Sequence, residues 1–77
     1  MISKQIALQF INKGKNIGFS TKTSEIIVKK GRNNDYEIYT YEKGDISPQC
    51  STVTFEQLIQ ILNDETIQND YRVVEQY

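Results

Sequence analysis

The chain has 77 residues and a mass of 9.0 kDa, which is the size of one small domain. Hydrophobic residues make up 38% and charged residues 25%, a composition typical of globular proteins. The sequence contains no His and a single Cys, Cys50, which excludes Ser-His and Cys-His nucleophile pairs, closed zinc sites, iron–sulfur clusters and internal disulfides. We therefore expect no enzymatic activity, no catalytic residue, no bound metal and no cofactor.

The distribution of apolar residues argues against a membrane protein. The longest unbroken apolar runs are three residues, such as Ile26-Ile27-Val28, whereas a membrane-spanning helix needs about 20. The first residues are too polar for a signal peptide. We expect a soluble cytoplasmic protein with no membrane partner. The sequence has eleven Ile but one Ala, and seven Lys but two Arg, a bias typical of AT-rich genomes such as those of low-GC bacteria, their phages and their plasmids.

The first predicted element is a helix over residues 3–13. Ser3 is a favourable N-cap, and Gly14 stands where a helix commonly ends in a left-handed residue. Apolar residues recur with helical spacing at Ile2, Ile6, Ala7, Phe10 and Ile11. The alternation of Ile6, Leu8 and Phe10 also fits a strand. The two end signals favour the helix.

Residues 16–43 predict strands. Ile17 and Phe19 alternate with polar residues and Gly, and residues 25–30 are rich in β-branched side chains. The Gly, Asn and Asp residues at 31–35 are the strongest turn signal in the chain, and the tyrosine-rich segment 36–41 has high strand propensity. These features predict a β-hairpin.

A loop is predicted for residues 44–53, which contain the only proline, Pro48, and Cys50. A second helix is predicted to begin at Thr54, because Thr54 and Gln57 match a capping box. Apolar residues then follow helical spacing at Phe55, Leu58, Ile59 and Leu62. Residues 71–77 are predicted to form a last strand.

The predicted order is therefore α-β-β-β-α-β, with a central β-hairpin. It indicates a single α+β domain over residues 1–77, with a mostly antiparallel sheet and helices on one face. Below about 80 residues, one hydrophobic core rarely supplies more than about 3–5 kcal/mol of stability. A protein partner or a homodimer would relieve that deficit.

Charge is segregated along the sequence. Residues 1–34 contain seven basic residues and one acidic residue, a net charge of +6, whereas residues 35–77 contain two basic and nine acidic residues, a net charge of −7. One interpretation is structural, since Lys29 or Lys30 would lie opposite Glu37 on the paired strand and help to fix the register. The other is functional: a basic patch that meets phosphates or an acidic protein. Its members would be Lys13, Lys15, Lys22, Lys29, Lys30 and Arg32.

The tyrosine-rich strand is the second candidate feature. Strand alternation puts Tyr36 and Ile38 on one face, toward the core, and Tyr39 and Tyr41 on the other. Ile27 and Val74 are expected on the same face as Tyr39 and Tyr41. If both helices cover the core side, that second face is exposed and offers interface area. If one helix covers each face, the tyrosines are packing residues. Base stacking, as in sheet-based RNA binders, is a third interpretation.

These features favour a small non-enzymatic protein-binding module that acts by steric contact. We expect an inhibitor or adaptor of the anti-defence type, encoded by a phage or plasmid. The expected contact residues are Ile27, Tyr39 and Tyr41 for contact area and Lys29, Lys30 and Arg32 for charge complementarity. The alternative is a nucleic-acid-binding protein that uses the basic N-terminal half. A homodimer through the last strand or the tyrosine face is compatible with both.

Overall fold

Two helices and five strands follow one another along the chain in the computed structural model, which describes residues 2–75 and 77. The elements are α1 (Lys4–Asn12), β1 (Ile17–Ser20), β2 (Ser24–Lys30), β3 (Tyr36–Glu42), β4 (Gln49–Val53), α2 (Phe55–Leu62) and β5 (Arg72–Val73). The strands form one antiparallel sheet in the order β4-β3-β2-β1-β5. The predicted α+β class with a mostly antiparallel sheet is confirmed, and the sheet has one strand more than predicted.

The predicted hairpin of β2 and β3 forms the middle of the sheet. Its register pairs Val28 with Ile38 and Lys30 with Tyr36. The turn is closed by a 2.8 Å hydrogen bond from the Gly31 N–H to the Asp35 carbonyl. Asn34 in that turn has a φ of 59°, in the left-handed region that Asn tolerates better than most residues.

The prediction of a loop over the whole of residues 44–53 is wrong, because Gln49–Val53 forms the edge strand β4. Its residues pair antiparallel with β3 from Thr40 opposite Gln49 to Tyr36 opposite Val53. Pro48 lies just before the strand, a position that removes no ladder hydrogen bond. The polar composition of this segment fits an edge position, where one neighbour suffices. The last strand, predicted over residues 71–77, is shorter in the structure and spans Arg72–Val73.

Both helices begin at the predicted caps. The Ser3 side chain accepts a 3.2 Å hydrogen bond from the Ile6 N–H. Thr54 and Gln57 form the full capping box, with reciprocal hydrogen bonds of 3.2 and 2.9 Å. Gly14, after α1, has a φ of 91°.

The core lies between the helices and one face of the sheet, here called the inner face. Each helix buries two residues against it, Ala7 and Ile11 in α1 and Leu58 and Leu62 in α2. The buried hydrophobic residues outside the helices are Ile17, Phe19, Ile26, Val28, Tyr36, Ile38, Ile67 and Tyr71. The predicted inward orientation of Tyr36 and Ile38 is confirmed. Both helices therefore cover the same side of the sheet, as one of the two interpretations of the tyrosine strand requires.

The connection between α2 and β5 adds to the core in a way that the sequence did not predict. Ile67 and Tyr71 are buried there, and the Tyr71 ring packs against Phe19 with 5.3 Å between centroids. Within residues 2–75 and 77, no helix has the length and apolar character needed to cross a bilayer. The same residues contain no cluster of three or more acidic or Cys side chains placed to hold a metal ion.

Candidate interaction surface

The outer face is the side of the sheet that points away from the helices. Strand alternation and register place on it Gly18, Glu25, Ile27, Lys29, Glu37, Tyr39, Tyr41, Cys50 and Thr52. Because both helices pack against the inner face, the outer-face side chains are covered in part by one another and by Val74 and Tyr77. The centre of the face is aromatic and aliphatic, and its margins are charged.

Four of the six predicted contact residues meet on the outer face. Ile27 lies directly opposite Tyr39, Glu25 opposite Tyr41, and Lys29 opposite Glu37. Ile27, Lys29, Tyr39 and Tyr41 are all half-buried. The prediction that Ile27, Tyr39 and Tyr41 share a face opposite the core is therefore correct.

The other two predicted contact residues lie elsewhere. Lys30 pairs with Tyr36 and so points to the helix side, where its Nζ donates a 3.3 Å hydrogen bond to the Asn12 carbonyl. Arg32 is exposed in the β2–β3 turn. The six residues thus do not form one patch, since Lys30 is separated from Tyr39 and Tyr41 by the thickness of the sheet.

Tyr77 lies against the outer face, which sequence reasoning missed. The Tyr77 ring is T-shaped to the Tyr39 ring, with 5.1 Å between centroids, and to the Tyr41 ring, at 6.3 Å. The hydroxyls of Tyr77 and Tyr41 are 2.7 Å apart and hydrogen-bonded. Tyr77 itself is 38% exposed. The tyrosines of the outer face are therefore partly covered by Tyr77 and partly exposed to solvent.

Gly18 makes room for this arrangement. A Cβ at Gly18 would lie 2.9 Å from the Val74 Cγ2, which is closer than two such carbons can approach. The Val74 N–H donates a 2.8 Å hydrogen bond to the Asn16 carbonyl and extends the β1–β5 pairing by one residue. Val74 therefore sits over β1 on the outer face, as predicted, and the Gly in the middle of a strand was the sequence signal for that close approach.

Lys29 and Glu37 lie opposite each other, as the structural interpretation of the charge pattern requires, but their charged atoms have other partners. The Lys29 Nζ lies 5.8 Å from the centre of the Tyr39 ring and 5.6 Å from that of Tyr77, within cation–π range. The Glu37 carboxylate accepts a 2.9 Å hydrogen bond from the Tyr39 hydroxyl. That hydrogen bond, together with desolvation and the Glu37 charge, raises the pKa of Tyr39 from 10.0 to about 12.

Arg72 fixes the margin of the outer face beside β1. Its guanidinium forms an ion pair with Glu25 and another with Asp70, the second at 3.3 Å. The Asp70 carboxylate also accepts a 2.7 Å hydrogen bond from the Ser20 N–H. These side chains are about half-exposed, so they orient the segment more than they stabilise it.

Basic residues gather at the end of the molecule that contains the β2–β3 turn. The hydrogen bond from Lys30 to the Asn12 carbonyl brings the end of α1 beside the end of β2. Lys13, Lys15, Lys30 and Arg32 are all exposed there. Four of the seven basic residues of the N-terminal half therefore share one end.

The opposite end of the sheet contains an open cavity of about 430 Å³. It lies between the β1–β2 connection and the segment that follows β3. Its lining mixes hydroxyl groups with both signs of charge, and includes Thr21, Ser24, Glu25, Glu42 and Lys43. Such a lining favours water and does not select one ligand chemistry.

Cys50 lies on β4, opposite Tyr39, and is exposed as a free thiol. The sequence placed it in an irregular loop, so its position beside the tyrosines was not foreseen. No family model, curated protein or solved structure matches this chain. The outer face and the basic end are the two features with a defined chemistry.

Proposed function

We propose that this protein is a small non-enzymatic protein-binding module whose contact surface is the outer face of the sheet. The observation that carries the proposal is the unequal covering of the two faces. Both helices pack on the inner face, while Ile27, Tyr39 and Tyr41 stay half-exposed on the outer one. Aromatic and aliphatic area of this kind is what a protein partner buries.

The distribution of side chains on the outer face supports a protein as the partner. Tyr offers a large, rigid contact area with a polar tip, and it is enriched among the residues that dominate binding energy. Here Tyr39 and Tyr41 stand at the centre, while Lys29 and Glu37 lie beside them. An apolar centre with a charged margin is the usual anatomy of a protein–protein interface.

The charges beside this surface indicate an acidic partner. Lys29 carries its charge onto the outer face, and Arg32 is exposed in the adjoining turn. A partner with carboxylates at the matching positions would gain a faster association rate and the correct orientation. Lys30 contributes to this field from the helix side of the same turn.

We infer that the module acts by steric contact, occupying a surface of its partner. We infer an inhibitor or adaptor of the anti-defence type, encoded by a phage or plasmid and working in the bacterial cytoplasm. The excess of Ile over Ala and of Lys over Arg supports that origin. A homodimer through the same face would compete with the partner for Tyr39 and Tyr41.

The test is affinity capture from a lysate of the native host, with and without nuclease, using three versions of the tagged chain. We expect the wild type to retain a stoichiometric, nuclease-resistant protein. The double variant Tyr39→Ala/Tyr41→Ala should lose it, whereas Phe55→Ala should keep it, because Phe55 is an exposed aromatic residue on α2, away from the outer face. Circular dichroism must show all three folded. Retention by the double variant would contradict the proposal, and its unfolding would mean that the tyrosines are structural.

Charge reversal separates the electrostatic part of the proposal. Lys29→Glu/Arg32→Glu should reduce capture of the same protein and its association rate. Lys22→Glu/Lys43→Glu makes the same change in net charge at the opposite end, and should have little effect. Equal losses in both variants would show that only net charge matters.

A second candidate function is nucleic-acid binding, favoured by the convergence of Lys13, Lys15, Lys30 and Arg32 at one end. It predicts a binding constant that falls with salt, by a slope of about 0.9 per phosphate contacted on duplex DNA. Fluorescence anisotropy with a labelled duplex at several salt concentrations measures that slope. Capture that nuclease abolishes, with a steep salt slope, would put this function first. A flat response would dismiss it.

A further inference from the structure

We propose that Lys29, Tyr39 and Tyr41 form a recognition site for a tyrosine side chain, which Tyr77 of the same chain occupies and which a tyrosine of the protein partner takes over. The part about the partner rests on the proposed function of the outer face. The existence of the site rests on the contacts of Tyr77 alone.

The contacts of Tyr77 define the chemistry of the ligand. The rings of Tyr39 and Tyr41 are both T-shaped to its ring, at interplanar angles of 71° and 80°. Edge-to-face pairs at these centroid distances are favourable beyond the area they bury. The ammonium of Lys29, 5.6 Å from the ring centre, requires an electron-rich ring face. A saturated side chain would satisfy neither contact.

The Tyr41 hydroxyl favours a phenol over other aromatic rings, because it offers a hydrogen bond. It forms a 2.7 Å hydrogen bond with the Tyr77 hydroxyl. Phenylalanine would fill the same space and leave the Tyr41 hydroxyl to solvent. Tyrosine is therefore the side chain that uses every group at the site, and it is also a residue that protein interfaces favour.

The segment that delivers Tyr77 is weakly attached. β5 pairs with β1 at two positions, and Val74 adds one further backbone hydrogen bond to Asn16. The exposed ion pairs of Arg72 contribute little to stability. Tyr77 keeps 38% of its surface in solvent. A partner could therefore displace Tyr77 while β1 to β4 stay intact.

Occupation by Tyr77 lowers the affinity for any competing ring. A protein whose site is free only part of the time binds with an apparent affinity reduced by that fraction. Removing the Tyr77 ring should therefore strengthen binding about three- to tenfold, which corresponds to a site that Tyr77 leaves free between about a third and about a tenth of the time.

The test uses p-cresol, the tyrosine side chain as a free molecule, titrated into ¹⁵N-labelled full-length protein and followed by NMR. In Tyr77→Ala, we expect saturable shift changes at Lys29, Tyr39 and Tyr41, with a dissociation constant about three- to tenfold lower than for the wild type. Tyr77→Phe keeps the ring but loses the hydrogen bond to Tyr41, so its dissociation constant for p-cresol should fall between those of the wild type and Tyr77→Ala. Phe55→Ala, which removes an exposed ring elsewhere, should resemble the wild type.

A second probe shows whether the site requires an aromatic ring beside the hydroxyl. 4-Methylcyclohexanol has the size and hydroxyl of p-cresol without the aromatic ring, and it should bind Tyr77→Ala at least about threefold more weakly. Equal binding of the two probes would overturn the proposal, as would p-cresol binding that is no tighter in Tyr77→Ala than in the wild type. The titration contains no partner, so its failure is distinct from a failure of affinity capture.

Discussion

The two faces of the sheet are made by the same strands and differ in what covers them. On the inner face, two capped helices bury side chains such as Phe19, Val28 and Leu58 completely. On the outer face, Ile27 lies opposite Tyr39, Tyr39 packs against Tyr77, and both Ile27 and Tyr39 remain half-exposed. The inner face is covered by two helices of nine and eight residues, whereas the segment that contacts the outer face is attached to the sheet through the two-residue strand β5.

The two faces therefore have different roles: the inner face stabilises the fold, and the outer face stays available for contacts. A small domain needs one face sealed to fold, and here the inner face takes that role. The outer face can then hold aromatic and charged groups whose contacts are exchangeable. The pair of faces thus predicts that substitutions on the inner side act on folding, and that those on the outer side act mainly on contacts with Tyr77 and with the proposed partner.

Phe19→Ala should have the largest effect of the substitutions considered. Phe19 is fully buried on the inner face and packs against the Tyr71 ring. Truncation of a buried Phe costs about 3–5 kcal/mol, which is comparable to the whole stability of a domain of this size. Urea denaturation followed by circular dichroism should show a largely unfolded protein. Tyr39→Ala, the matched truncation on the outer face, should stay folded, and similar losses in both would end the distinction between the faces.

Gly18→Ala should have the next largest effect and should act on the outer cover alone. The new Cβ would meet the Val74 Cγ2 at 2.9 Å, and Val74 is a stiff, β-branched side chain that must move away. Overpacking of this kind costs about 1–3 kcal/mol. We expect faster amide exchange at Val74, whose N–H is bonded to Asn16, with protection on β2 and β3 unchanged. Unchanged exchange at Val74 would show that the segment yields without detaching.

Thr54→Ala tests how much the N-cap of α2 contributes to the stability of the helix that packs on the inner face. Thr54 accepts a hydrogen bond from the Gln57 N–H, and the Gln57 side chain bonds back to the Thr54 N–H. Loss of such a cap costs about 1 kcal/mol. Thermal unfolding should show the lower midpoint. Thr52→Ala, the same change at an exposed position of β4, is the control and should be nearly neutral.

The parts of the fold that the sequence predicts are those determined by neighbours along the chain. The capping box at Thr54 and the turn at 31–35 involve contacts over three to five residues, so their residue types suffice to place them. The edge strand β4 is polar and shows no alternation, because solvent bathes one of its edges and most of its side chains. Its pairing depends on β3 alone, a contact that no local pattern records.

The candidate site shows the same limit. Alternation along β2 and β3 correctly groups Ile27 with Tyr39 and Tyr41, and the same alternation would have placed Lys30 on the side of Val28, facing the helices. The position of Tyr77 depends on packing against residues more than thirty positions away. The sequence gives no periodic signal for such a contact, and Gly18 indicates only the close approach of Val74.

Glu37→Gln should leave the fold intact and change the titration of one outer-face group. The Glu37 carboxylate accepts a hydrogen bond from the Tyr39 hydroxyl and is the main reason that the pKa of Tyr39 is raised from 10.0 to about 12. Removing the negative charge should bring that pKa back toward 10, read from absorbance of the tyrosinate against a Tyr39→Phe reference. Lys29, beside the Tyr39 ring, stays in place and would oppose any residual increase.

The sign of the linked stability effect follows from the direction of this shift. A pKa that is higher in the folded than in the unfolded state favours the folded, protonated phenol. This contribution is therefore complete below pH 10 and is lost between about pH 10 and 12 in the wild type. In Glu37→Gln that alkaline loss should shrink, because a smaller pKa shift leaves less stability to be lost when the phenol ionises. If the pKa of Tyr39 is instead 10 in the wild type, its hydroxyl faces solvent and is not hydrogen-bonded to Glu37.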